Sequence, residues 1–261
     1  MDTYTLHRGS APLLVSLPHD GTALPADIAV RLTDSARRVP DTDWHVARLY
    51  AFALELGASI LVPVCSRYVV DLNRPPDDVS LYPGQNTTGL CPHVQFSGEP
   101  VYLEHQQPDE AEVRARVDTF WRPYHRALTD ELARIRATHG RGVLWEGHSI
   151  RSTVPFLFEG CLPDFNLGTA GGTSCSPQLQ QRLQAVLDAQ PGYTHVTNGR
   201  FKGGYITRHY ADPAQRIQAV QLELSQPTYM DQDTWEYLPE RAQATQSVIR
   251  RLLEVALAQG D

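Results

Sequence analysis

The apolar positions of this chain fall into bursts of two kinds. "PLLVSLP" (12–18), "SILVPV" (59–64), "RYVVDL" (67–72), "GVLWEGHS" (142–149) and "IQAVQLELSQ" (217–226) are short and rich in Leu, Ile and Val. They read as buried strands that run into loops. Elsewhere the apolar residues recur at helical spacing. This predicts a helix over 43–56, with Thr42 or Asp43 as candidate cap and Gly57 as stop. The longest helix is expected over 109–138, bent near Pro123, and others over 177–189 and 233–258. Between them lie a long polar loop holding Pro75, Pro76, Pro83, Gly84 and Gly89, a Gly-rich loop over 166–176, and a Gly-punctuated cationic segment over 198–210.

Strands alternating with helices predict an α/β fold: a single three-layer α/β/α domain over 1–261, built around a mostly parallel mixed sheet. In such sheets chemistry collects in loops beyond the carboxyl ends of the strands. His19, Asn73-Arg74 and His148 all fall at or just past the end of a predicted strand.

Composition narrows the function classes. The longest apolar runs of the 261 residues are far too short to span a bilayer, so no membrane role is expected. A formal net charge of −7 disfavours nucleic acid as a partner. Of 23 basic residues only Lys202 is Lys, which leaves arginine, the better fork for a carboxylate, as the main cation. Cys65, Cys91, Cys161 and Cys175 show no C-x-x-C pairing, and no basic segment precedes a long apolar core near Met1. The expectation is a cytoplasmic protein with reduced thiols; its oligomeric state is not readable.

Ten histidines are present. His7, His93, His105, His125, His139 and His195 fall in termini, loops or helix faces and read as solvated or incidental. His45 reads as a packing or surface residue, and His209 could touch substrate. His19 and His148 each sit beside Gly or a Gly-containing turn at a strand end, where an imidazole can emerge into a cleft. Two His plus one carboxylate, with a fourth position open, form the ligand set of a catalytic zinc. Asp43 is the best carboxylate candidate, although a plain helix cap explains it equally well; Asp41 is the spare. Neither H-E-x-x-H nor a cysteine-based zinc pattern occurs.

Two further sets carry chemistry. In "SRYVVDLNRPP" (66–76), Asn73 and Arg74 pair a neutral donor with a bidentate fork that suits a carboxylate. A structural Asp-Arg pair closing a strand end is the alternative. In "QLELSQ", Glu223 shares a strand with Leu222 and Leu224 on the opposite face. It is either an edge-strand surface residue or a general base raised in pKa by burial. "GHSIR" lacks the G-x-S-x-G elbow, which removes a serine-hydrolase reading.

Together "PHDG" (18–21), "DTDW" (41–44), "SRYVVDLNRP" (66–75), "EGHS" (146–149), "GRFKGGYITRHY" (199–210) and "LELSQ" (222–226) resemble the N-formylglutamate amidohydrolase family. That family is related to the zinc carboxypeptidases and to the aspartoacylase and succinylglutamate desuccinylase group. "DLNR" is shared with the latter, while "KGGYITRHY" favours formylglutamate. The His-x-x-Glu motif of carboxypeptidase-like enzymes is absent, since Thr22 stands three residues after His19.

The resemblance implies a zinc-carboxypeptidase-like (phosphorylase/hydrolase-like) fold and hydrolysis of N-formyl-L-glutamate, a small dicarboxylate, in histidine breakdown. It implies one ion of zinc, or another divalent metal, on His19, Asp43 and His148. Glu223 would move the proton of the attacking water, and Arg67 would face the carbonyl oxygen. Asn73 and Arg74 would clamp one substrate carboxylate. For the other, Arg200, Lys202 and Arg208 are available; Arg208 is favoured because the neighbouring "GGYI", with Gly204, allows close backbone approach. Asp71, Glu146 or a backbone carbonyl would orient a ligand imidazole. An acylase of the same superfamily acting on another N-acyl acidic amino acid, or a non-catalytic carboxylate-binding domain, are the competing readings.

Overall fold

The computed structural model describes residues 2–81, 84 and 86–258; Pro83 of the long loop lies outside them. In chain order the strands are β1 (Tyr4–His7), β2 (Leu13–Ser16), β3 (Ser59–Pro63), β4 (Gly142–Ile150), β5 (Phe165–Gly168), β6 (His195–Thr197) and β7 (Ile217–Ser225). The helices are α1 (Ala26–Ala29), α2 (Val46–Leu49), α3 (Glu110–Arg116), α4 (Arg122–His139), α5 (Pro177–Asp188), α6 (Tyr205–Tyr210) and α7 (Pro239–Leu257).

The strands form one mixed sheet in the order β1-β3-β2-β4-β7-β5-β6. The central run β3-β2-β4-β7 is parallel, whereas β1 and β5 join antiparallel to β3 and β7. Strand alternation sorts the side chains into two cores. Leu13, Val15, Trp145, Val220, Leu222 and Leu224 pack with α2, α5 and α7 on one face. Leu14, Leu61, Leu144 and Ala219 pack with α4 on the other. The three-layer α/β arrangement expected from the sequence is what the chain adopts. None of the described helices is long and apolar enough to cross a membrane.

Several local expectations fail for physical reasons. Residues 67–72 make turns rather than a strand, because β1 already occupies the place beside β3. Their amides and carbonyls find other partners: Asp71 N donates to Leu90 O, and Arg116 Nη1 donates to Val69 O. The Gly-rich loop begins as β5, and the cationic segment contains α6. The last helix starts only at Pro239, after a turn in which the Asp231 carboxylate accepts from the Asp233 and Thr234 amides. Ahead of Pro123, residues Val117–Trp121 form a π-helical turn that divides the expected long helix into α3 and α4. His125 is no surface residue: it is buried, with its Nε2 on Leu72 O and its ring stacked on Trp121.

Candidate active site

The carboxyl ends of the parallel strands converge on one cavity. β2 delivers His19 three residues past Ser16, while β4 carries His148 and β7 carries Glu223 at directly paired positions. Because side chains alternate, Glu146, His148, Gln221 and Glu223 share one face while Leu222 and Leu224 enter the opposite core. β7 lies between β4 and β5, so Glu223 is central and buried, not an edge-strand surface residue.

Asp43 does not cap α2. The first turn of α2 is served by the Asp20 carboxylate, which accepts from Ala47 N at 2.9 Å. Asp43 is left to turn inward, with its amide on His19 O and its Oδ2 3.0 Å from His148 Nδ1 and 3.7 Å from His19 Nδ1. Asp41 faces elsewhere and accepts from Phe96 N.

Each imidazole is held from behind by a different carboxylate. His19 Nε2 lies 2.7 Å from Asp71 Oδ1, and His148 Nε2 lies 2.8 Å from Glu146 Oε1. With the Nε2 protons donated outward, both Nδ1 atoms face Asp43, and the ring centroids stand 4.9 Å apart. Glu146 is fixed in turn by the amide and hydroxyl of Thr207 on α6. Ligand atoms from His19, Asp43 and His148 lie within 4.8 Å of one another, and all three residues are buried. Two imidazoles and a carboxylate, backed by carboxylates and open to a cavity on one side, fit a divalent cation such as zinc.

The electrostatics agree with a site built for positive charge. Burial disfavours an imidazolium at His148, yet Glu146 and Asp43 outweigh it and hold its pKa well above the usual range. Burial would raise Asp43, but the hydrogen bonds from His148 and His19 and their charges bring it below the normal carboxylate range. Glu223 is pushed up to about 8, chiefly by burial, opposed by His148 and reinforced by Asp43.

The arginines divide into those that line the cavity and those that do not. Arg67 is buried, donates from Nη2 to Asp71 Oδ2 at 2.7 Å, and keeps a buried Nε with no hydrogen-bond partner. Burial works against its charge, but Asp71, Asp43 and Asp41 maintain it and raise its pKa. Arg74 lines the same cavity and is anchored through Nε on Thr88 O. Arg200 is a third cation in the lining, its Nε on Leu157 O. Lys202 and Arg208, by contrast, are exposed and outside that lining. The Arg208 Nε donates to Gly203 O, just ahead of its own helix.

Asn73 serves α6 as well as the cavity. Its Oδ1 accepts from Ile206 N, and its Nδ2 lies 3.1 Å from His148 Nε2. A Cβ on Gly204 would fall 2.3 Å from the Asn73 amide, so that glycine makes room for Asn73. Gln221, which accepts from Gly204 N, and the apolar wall of Phe96, Ile150, Leu157 and Phe201 were not singled out by sequence. A strand position two residues before Glu223, and so on its face, was the available signal for Gln221. Ile150 is the last residue of β4, while Phe96, Leu157 and Phe201 sit in irregular segments that carry no periodic signal.

The pattern that describes N-formylglutamate amidohydrolases matches residues 11–230. The chain belongs to the N-formylglutamate amidohydrolase family. It is 54% identical over 260 residues to a Pseudomonas aeruginosa protein named N-formylglutamate deformylase, covering 99% of this chain and 97% of that one. A Pseudomonas putida protein of the same name is 51% identical over 257 residues, covering 98% and 96%. Among solved structures, the N-formylglutamate amidohydrolase from Ralstonia eutropha superposes with a TM-score of 0.83 at 27% identity, covering 98% of this chain and 96% of that chain. An Agrobacterium tumefaciens gene product shares the fold, with a TM-score of 0.73 at 16% identity over 98% of this chain and 96% of that one.

Proposed function

We propose that this chain hydrolyses N-formyl-L-glutamate to formate and L-glutamate. The observation that carries the reading is the meeting, in one cavity, of the His19-Asp43-His148 donor set with Glu223 and three arginines. The names of the Pseudomonas relatives supply the acyl group and the amino acid.

His19, Asp43 and His148 would hold the divalent ion, zinc by donor chemistry. When bound, such an ion polarises an amide carbonyl and makes water acidic near neutral pH. The remaining work belongs to this chain's own side chains. Glu223, buried and aimed into the cavity, takes a proton from the attacking water and returns it to the leaving amine. Bound positive charge beside it favours its carboxylate form. Arg67, with a spare Nε donor, faces the carbonyl oxygen where negative charge grows. Asp71 holds Arg67 and His19 together, so the oxyanion donor and a ligand imidazole share one support.

The substrate carries two carboxylates, and two arginines remain for them. Arg74 and Asn73 take one. For the other, the lining position of Arg200 makes it the better partner than Arg208 or Lys202. The whole of 1–261 acts as one catalytic domain in this reading. Four free cysteines fit a reducing, cytoplasmic compartment; a place in histidine breakdown rests on the family alone.

The test is formate release from N-formyl-L-glutamate, with and without a chelator, alongside acetate and succinate release from the corresponding N-acyl substrates. Chelator-sensitive formate release supports the proposal. Preferential acetate or succinate release would assign a different acylase, and no amide cleavage at all would leave a binding domain.

A further inference from the structure

A second cavity, of about 410 Å³, opens beside the site cavity, which has room for about 80 Å³. Its lining includes Arg38, Asp41, Gln95, Arg151 and Trp235. Among the described residues, Phe96 is the one that lines both. It stands at the tip of a tight turn: Gln95 N donates to Glu99 O, Gly98 N donates to Gln95 O, and Gly98 has a φ of +87°. The amide of Phe96 is tied to Asp41 Oδ2 at 2.9 Å. Its ring lies under the Arg67 guanidinium, 4.9 Å from Cζ to centroid.

We propose that Phe96 is the partition that limits the size of the acyl group. The inference rests on the reading of the site as a deformylase. In that reading the carbonyl oxygen faces Arg67, and the proposal directs the third substituent of the carbonyl carbon, a hydrogen in a formyl group, at the ring packed on that guanidinium. A methyl or longer chain at that place meets a ring whose backbone is fixed on both sides, inside a small cavity. Shortening the side chain joins that cavity to the larger one and gives a bulkier acyl group somewhere to go.

The experiment compares kcat/KM for N-formyl-L-glutamate and N-acetyl-L-glutamate in the zinc-supplied wild type, Phe96→Leu and Phe96→Ala. The acetyl-to-formyl ratio is expected to rise about 10- to 200-fold in Phe96→Ala, the range that one methylene commands in an apolar pocket, and in the same direction but less in Phe96→Leu. Loss of stacking on Arg67 lowers both rates together, so the ratio is the readout. An unchanged ratio overturns the proposal, whether rates fall in parallel or hold. If Phe96→Ala does not fold, Phe96→Leu decides by the same criterion. A wild type that releases no formate overturns the deformylase reading instead, which separates the two failures.

Discussion

His19 and Asp71, 52 residues apart in the chain, share a buried 2.7 Å hydrogen bond that fixes which imidazole nitrogen faces the site. The Asp71 carboxylate also accepts from Arg67 Nη2 and from Asn73 N, so it is fully engaged. Burial would raise its pKa, but His19 and Arg67 bring it well below the carboxylate range. Asp71→Asn keeps the shape but offers His19 an amide in place of an anion. Zinc affinity is expected to fall about 10- to 100-fold, read by titration against a competing chelator. An unchanged affinity would show that Asp71 supports only Arg67.

Glu223→Gln removes the proposed proton carrier and leaves His19, Asp43 and His148 in place. Turnover is expected to drop about 10²- to 10⁴-fold with metal content unchanged. Formate release and elemental analysis on the same sample check it. Activity within a few-fold of wild type would remove the proton-transfer role.

How much of this was legible beforehand depends on whether a residue's role is local or shared. His148 and Glu223 lie on regular strands, so the linear pattern put His148 at a strand end and Glu223 opposite Leu222 and Leu224; that the two share a face follows from the pairing of β4 with β7. The pairing of Asp43 with His148 is not local: it depends on Asp20 taking over the start of α2, a contact invisible in a linear pattern. The same holds for 67–72, whose apolar run reads as a strand until β1 is seen to occupy the place beside β3. Arg208 was favoured for its glycine neighbours, yet those glycines make room for Asn73 and for the turn into α6. Asp71 and Glu146 were both in view as supports for an imidazole, and each serves a different one.

Arg200 and Arg208 can be separated by kinetics. Arg200→Ala removes a cation from the cavity lining and is expected to raise KM for N-formyl-L-glutamate at least tenfold, with a smaller effect on kcat. Arg208→Ala, exposed and bonded to Gly203 O, is expected to change KM less than twofold. The reverse order would return the second carboxylate to Arg208.

His125 gives a prediction about stability that is independent of catalysis. Its Nδ1 meets the Tyr210 hydroxyl at 2.8 Å, its Nε2 meets Leu72 O at 2.9 Å, and Trp121 stacks on it with centroids 3.5 Å apart. Burial depresses its pKa from the usual 6.5 to about 3, partly offset by the bond to Leu72 O. Between those two values the unfolded chain binds a proton that the folded chain refuses, so stability rises with pH and is lost as pH falls from 6.5 toward 3. The loss attributable to this one group approaches about 1.4 kcal/mol per pH unit inside the window. His125→Gln carries no titrating ring, so its denaturant midpoint is expected to be lower than wild type at pH 7 but to fall less steeply toward pH 5. Parallel curves for the two proteins would mean that His125 accepts its proton within the fold.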